Sequence, residues 1–121
     1  MVNKQSFLNA IEQNIDMVRG DTLCFNFQIK GLEEAEPNFI FAGVQKYDQE
    51  PLFECSLNDG VELSSYDTTQ DTATYTVTLN PTKTIGLDTG LYYYSLTMFL
   101  EDNVLTLMRG KLNLLNEIER G

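Results

Sequence analysis

The chain has 121 residues, 42% of them apolar, with seven Phe and six Tyr, so it is one domain by length with enough greasy surface for a two-layer core. Eighteen acidic against eight basic side chains give a net charge of −10, which repels nucleic-acid backbones and anionic membranes; it serves to keep a small domain soluble, or else suits docking on an electropositive protein surface. No histidine is present, and this removes the commonest general base, nucleophile activator and zinc ligand at once.

Residues 1–13 read as an N-terminal arm in which Phe7, Leu8 and Ile11 are spaced for a short helical stripe, and residues 14–121 read as the folded domain. Nothing in the first eight residues resembles a secretory h-region, and no stretch approaches the ~20 apolar residues of a membrane span. Asn80 precedes Pro81, so the one Asn-x-Thr spelling is not a glycosylation acceptor. A protein made and kept soluble in a cytoplasm is expected, with no membrane or nucleic-acid partner.

Strand signals begin at Ile15–Val18 and, after the Gly20-Asp21 turn, continue through Thr22–Ile29. There Leu23, Phe25, Phe27 and Ile29 share one face and Cys24 takes the other, whereas Cys55 belongs with Phe53 and Leu57 on an apolar face. The two cysteines therefore read as free thiols of a reducing compartment rather than a bridge. An acidic loop, 31–38, leads to a strand at Phe39–Gln45 and another at Leu52–Leu57, with Asn58-Asp59-Gly60 as turn chemistry.

The polar run Ser64–Thr72 reads as a connection. Ala73–Leu79 then alternates cleanly, Asn80-Pro81 breaks it, and Thr82–Gly90 crosses the end of the domain. Leu91–Leu100 and Val104–Leu115 form a hairpin around Glu101-Asp102-Asn103. Leu105 and Leu107 disagree in parity with Leu112 and Leu114, which a bulge at Gly110 would reconcile.

Asp88, Gly90 and Tyr92 spell Asp-x-Gly-x-Tyr at the head of a late strand, the spacing of a tyrosine corner. The expected fold is all-β: an immunoglobulin-like two-sheet sandwich of about seven antiparallel strands with an N-terminal arm. In that layout Cys24, Asn26, Gln28, Thr74, Thr76 and Thr78 make a polar outer face on one sheet. The other sheet is apolar on both sides, with Phe39, Phe41, Tyr92, Tyr94 and Leu96 toward the core. Its outer side carries Ile40, Ala42, Val44, Tyr93 and Phe99, which call for cover by the arm, a loop or another subunit.

Other patterns tempt less. Arg19-Gly20-Asp21 spells an integrin-recognition triplet, yet it sits in a short turn between strands. Glu33, Glu34, Glu36, Asp67 and Asp71 could converge as catalytic carboxylates or a calcium site, but no spaced Asp/Asn ladder is present. No cofactor, catalytic residue or metal ligand is assigned.

Met17-Val18-Arg19-Gly20-Asp21-Thr22-Leu23, Pro51-Leu52-Phe53-Glu54, Leu57-Asn58-Asp59-Gly60, Gly86 through Tyr94, and Met108-Arg109-Gly110-Lys111-Leu112 occur in an order that resembles the small immunoglobulin-like modules encoded by bacteriophages of Gram-positive hosts. The resemblance is to the N-terminal domain of phage upper-baseplate proteins and to stand-alone virion proteins of that layout, over roughly residues 15–115. It implies a non-enzymatic structural part of a virion, on the tail, baseplate or capsid, assembled in symmetric copies with other virion proteins. No stalk sequence follows Leu115, so a stand-alone adaptor or decoration module is expected. The alternative is a host-surface adhesion module that binds carbohydrate or protein, with Tyr47 and Tyr66 as stacking platforms.

Overall fold

Period-two alternation of apolar and polar residues becomes strand wherever a neighbour can accept one face, and nine strands form among the described residues. A computed structural model describes residues 11–33, 35–46 and 50–117. The strands are β1 (Ile11–Glu12), β2 (Ile15–Val18), β3 (Leu23–Lys30), β4 (Asn38–Val44), β5 (Phe53–Leu57), β6 (Gly60–Asp67), β7 (Thr72–Leu79), β8 (Gly90–Leu100) and β9 (Asn103–Leu115). One turn of 3-10 helix, Pro81–Lys83, is the only helical piece among them.

The fold is all-β, and the strands join in one curled sheet with the order β1-β9-β8-β4-β5-β6-β7-β3; β2 also pairs with β9. The expectation of seven antiparallel strands is corrected in two places. Both β1 and β2 run parallel to β9, as Ile11 opposes Met108 and Ile15 opposes Leu112. The step from β5 to β6 is also parallel and only two residue pairs long. Asn58 and Gly60, both at positive φ, let the chain hop sideways there without reversing, so Asn58-Asp59-Gly60 is a crossing rather than a hairpin.

The curl lays β3 and β7 over β4. Phe27 meets the Phe39 ring edge-on at 5.1 Å, Phe25 meets Phe41 at 5.6 Å, and Tyr75 lies 4.5 Å from Phe39. Beneath them Phe53, Tyr92, Tyr94, Leu96, Met98, Leu112 and Leu114 complete a buried core. These aromatic side chains remove the largest apolar areas from water, and tilted or edge-on rings gain quadrupole attraction beyond that burial.

Two local expectations fail for the same reason. The polar run from Ser64 was read as connection, yet β6 extends to Asp67, antiparallel to β7. A register shift at Ser64 breaks the period of two, so the alternation that marks a strand in sequence disappears. In β9 the bulge sits at Leu107, where Leu96 opposes Met108 and Thr97 opposes Thr106; Gly110 pairs regularly with Tyr94.

Gly110 has a different task. A β-carbon there would stand 2.1 Å from the Gln13 carbonyl oxygen, so the missing side chain lets the link between β1 and β2 cross close against β9. Gln13 N–H donates to the Arg109 carbonyl at 2.9 Å, and Lys111 N–H donates to Asn14 Oδ1 at 3.1 Å. Residues 11–14 are thus bonded to the body, while Phe7 and Leu8 lie outside the described residues.

Candidate interaction surface

Register fixes which side chains look outward from the β4-β8-β9 part of the sheet. Asn38 opposes Phe99 and Phe99 opposes Val104; Ile40 aligns with Thr97 and Thr106; Ala42 aligns with Ser95 and Arg109; Val44 aligns with Tyr93 and Lys111. Ile40, Ala42, Val44, Tyr93 and Phe99 are all half-buried, whereas their sequence neighbours Phe39, Phe41, Tyr92, Tyr94 and Met98 point into the core. The inward parity of β4 and β8 is apolar throughout, whereas the outward parity mixes Ile40, Ala42, Val44, Tyr93 and Phe99 with Asn38, Ser95 and Thr97.

Sequence reasoning missed part of this surface. Leu91 (38% exposed) continues the Tyr93 row, and Val104 (63%) sits beside Phe99. Arg109 and Lys111 add two cations to the face, with Arg109 held 3.2 Å from Glu12. Leu91 was legible from the parity of Tyr93, but β9 was not, because the Leu107 bulge swaps its faces. Ile11 is 65% exposed, on the short strand β1 at the margin of the same sheet.

The β3-β7 outer face differs in kind. Cys24 opposes Thr78, Asn26 opposes Thr76 and Gln28 opposes Thr74. Thr76 Oγ1 donates to Asn26 Oδ1 at 2.8 Å, Gln28 Nε2 donates to Thr74 Oγ1 at 3.4 Å, and the Ser64 and Thr76 hydroxyls bond to each other. Water and internal bonds satisfy such a face, so it needs no cover.

The remaining tempting residues are bound up in structure. Tyr92, almost fully buried, donates its hydroxyl to the Asp88 carbonyl at 2.6 Å, with Gly90 at φ 135° shaping the bend. Burial, reinforced by Asp88, raises its phenol pKa. Arg19 donates to Glu117 Oε1 and to the Leu87 carbonyl, each at 3.0 Å, and Gly20 N–H donates to Thr84 Oγ1 at 3.3 Å. The Arg-Gly-Asp triplet is a stitched turn.

Asp71 accepts the Tyr66 hydroxyl at 2.5 Å and the Glu33 N–H at 3.1 Å, which ties the 31–33 loop to the β6-β7 turn. Tyr66 is half-buried with its hydroxyl engaged, and Tyr47 and Glu34 lie outside the described residues. Among the described residues no cluster of three Cys, Asp or Glu side chains is placed to hold a metal ion. Cys24 is exposed and Cys55 buried, both as free thiols, and burial pushes the Cys55 thiol pKa up. Among the described residues no helix is long and apolar enough to cross a membrane.

No protein-family profile matches the chain, and no curated protein does. In fold it is similar to part of a family 123 glycoside hydrolase from Clostridium perfringens, described for glycolipid glycan hydrolysis, with a TM-score of 0.57 and 10% identity. The match takes in 96% of this chain but only 24% of the hydrolase chain. The likeness is one of backbone path.

Proposed function

We propose that this chain is a non-enzymatic immunoglobulin-like module of a phage particle, docking in multiple copies on other virion proteins through the outer face of β4 and β8. The observation that carries the reading is the contrast between the two outer faces. Thr, Asn and Gln cover β3 and β7, whereas Ile40, Val44, Tyr93 and Phe99 stand on β4 and β8. These aliphatic and aromatic side chains, set among Asn38, Ser95 and Thr97, are the anchors that a protein partner would desolvate.

A two-sheet sandwich is supported by the thin join between β5 and β6. Cutting those two pairs leaves one layer of β9, β8, β4 and β5 and another of β6, β7 and β3, with β1 and β2 along β9. The Tyr92 corner has the geometry expected of such sandwiches. A structural rather than catalytic role is favoured by the lack of histidine and by the use of Asp71 as a loop tie. The net charge of −10 favours a partner that is basic overall, with acidic groups opposite Arg109 and Lys111 of the face.

The test is incorporation into particles. Tyr93→Glu combined with Ile40→Glu, both on the outer face, should leave the circular dichroism spectrum unchanged. Losing central anchors costs about 2 kcal/mol or more, so binding to particles should fall roughly 30-fold. Folded double variant at wild-type occupancy would reject the docking face.

A further inference from the structure

The sheet path ends at β3, and among the described residues no strand pairs with its outer edge. Exposed edges are normally blunted by charges, proline, bulges or shortness. β3 has none of these along most of its length. It makes eight consecutive pairs with β7 without a register shift, and Leu23–Ile29 contains no charged residue in a chain with eighteen acids and eight bases. At the far end of the path, by contrast, β1 and β2 are two and four residues long and carry Glu12 and Asp16.

Packing at this edge is also incomplete. Leu23, Phe25 and Phe27 face the core yet stay half-buried, while their partners Leu79, Val77 and Tyr75 are buried. A further strand alongside would cover those three side chains and satisfy the outward backbone groups together.

We propose that β3 pairs antiparallel with β3 of a second copy of this chain, about a two-fold axis through Asn26. Symmetry narrows the register, because same-face residues must oppose each other and paired residue numbers must then sum to an even value. Centring on Asn26 keeps the whole uncharged stretch inside the seam. Asn26 then opposes itself and Cys24 opposes Gln28 on the polar face, while Phe25 opposes Phe27 and Leu23 opposes Ile29 on the core face. Lys30, the only charge in β3, falls opposite Thr22 and beside Asp21 of the second copy, so the charges at both ends of the seam attract. A pair of copies carrying −10 each repels least where the contact itself is neutral.

This seam lies on a different strand from the docking face, so either can fail without the other. Sedimentation equilibrium of the full chain should show a dimer. Asn26→Lys places two cations on the axis at an exposed position and should weaken dimerisation at least ~10-fold with the fold intact; Tyr93→Glu should leave it unchanged. Spin labels on the exposed Cys24 of the wild-type chain should report a backbone separation of roughly 14 Å between copies, four residues of rise plus one inter-strand spacing. A monomeric wild type, a dimer indifferent to Asn26→Lys, or labels far outside that separation would each overturn the proposal.

Discussion

Three consecutive tyrosines have three fates. Tyr92 closes the corner onto Asp88, Tyr93 looks outward beside Val44, and Tyr94 turns inward to donate to the Gln13 carbonyl at 2.5 Å. Burial pushes the Tyr94 phenol up to about 12 from its ordinary 10.0. A folded-state pKa raised in this way means that the fold holds the neutral phenol, so its contribution is complete below pH 10.0 and is lost as pH rises toward about 12. Urea midpoints measured across that window should decline, and Tyr94→Phe should shallow the decline. Tyr75 and Tyr92, also raised by burial, will keep part of it. A slope unaltered by Tyr94→Phe would show that this phenol does not carry the effect. The inward parity of Tyr94 was legible in the sequence; its partner, 81 positions away, was not.

At the scale of the strand, β9 shows how one residue redistributes roles. The parity conflict between Leu107 and Leu112 is visible in the sequence and demands an inserted residue, but it does not say where. Glycine was the natural candidate because it tolerates bulges. The chain instead bulges at Leu107 and uses Gly110 for close approach of Gln13. Gly110→Ala should therefore push the β1–β2 link off β9 and cost about 1–3 kcal/mol. Denaturation midpoints and faster hydrogen exchange at the Gln13 amide would register it. An unchanged Gln13 amide would mean that the link has room to spare.

For the whole molecule, the core is made where β3 and β7 curl over β4, and Phe39 packs against both rings of the stacked Phe27–Tyr75 pair. Phe39→Ala should cost about 3–5 kcal/mol, through lost burial plus the cavity left behind. That is a large part of the 5–15 kcal/mol typical of a domain, so the urea midpoint should collapse. A mild loss would indicate that the curled sheet closes over the gap.

Strand character, the inward and outward sets of β3, β4, β7 and β8, the spacing of the Tyr92 corner and the separation of the two thiols all follow from alternation along the chain, because a strand's faces are settled by neighbours two residues apart. The parallel attachment of β1 and β2 to β9, the sideways step into β6, the place of the bulges and the position of β3 at the end of the sheet path among the described residues came only from the folded arrangement. Those features depend on which strands meet. Pairing is a contest among residues far apart in the chain, and no local period records its outcome.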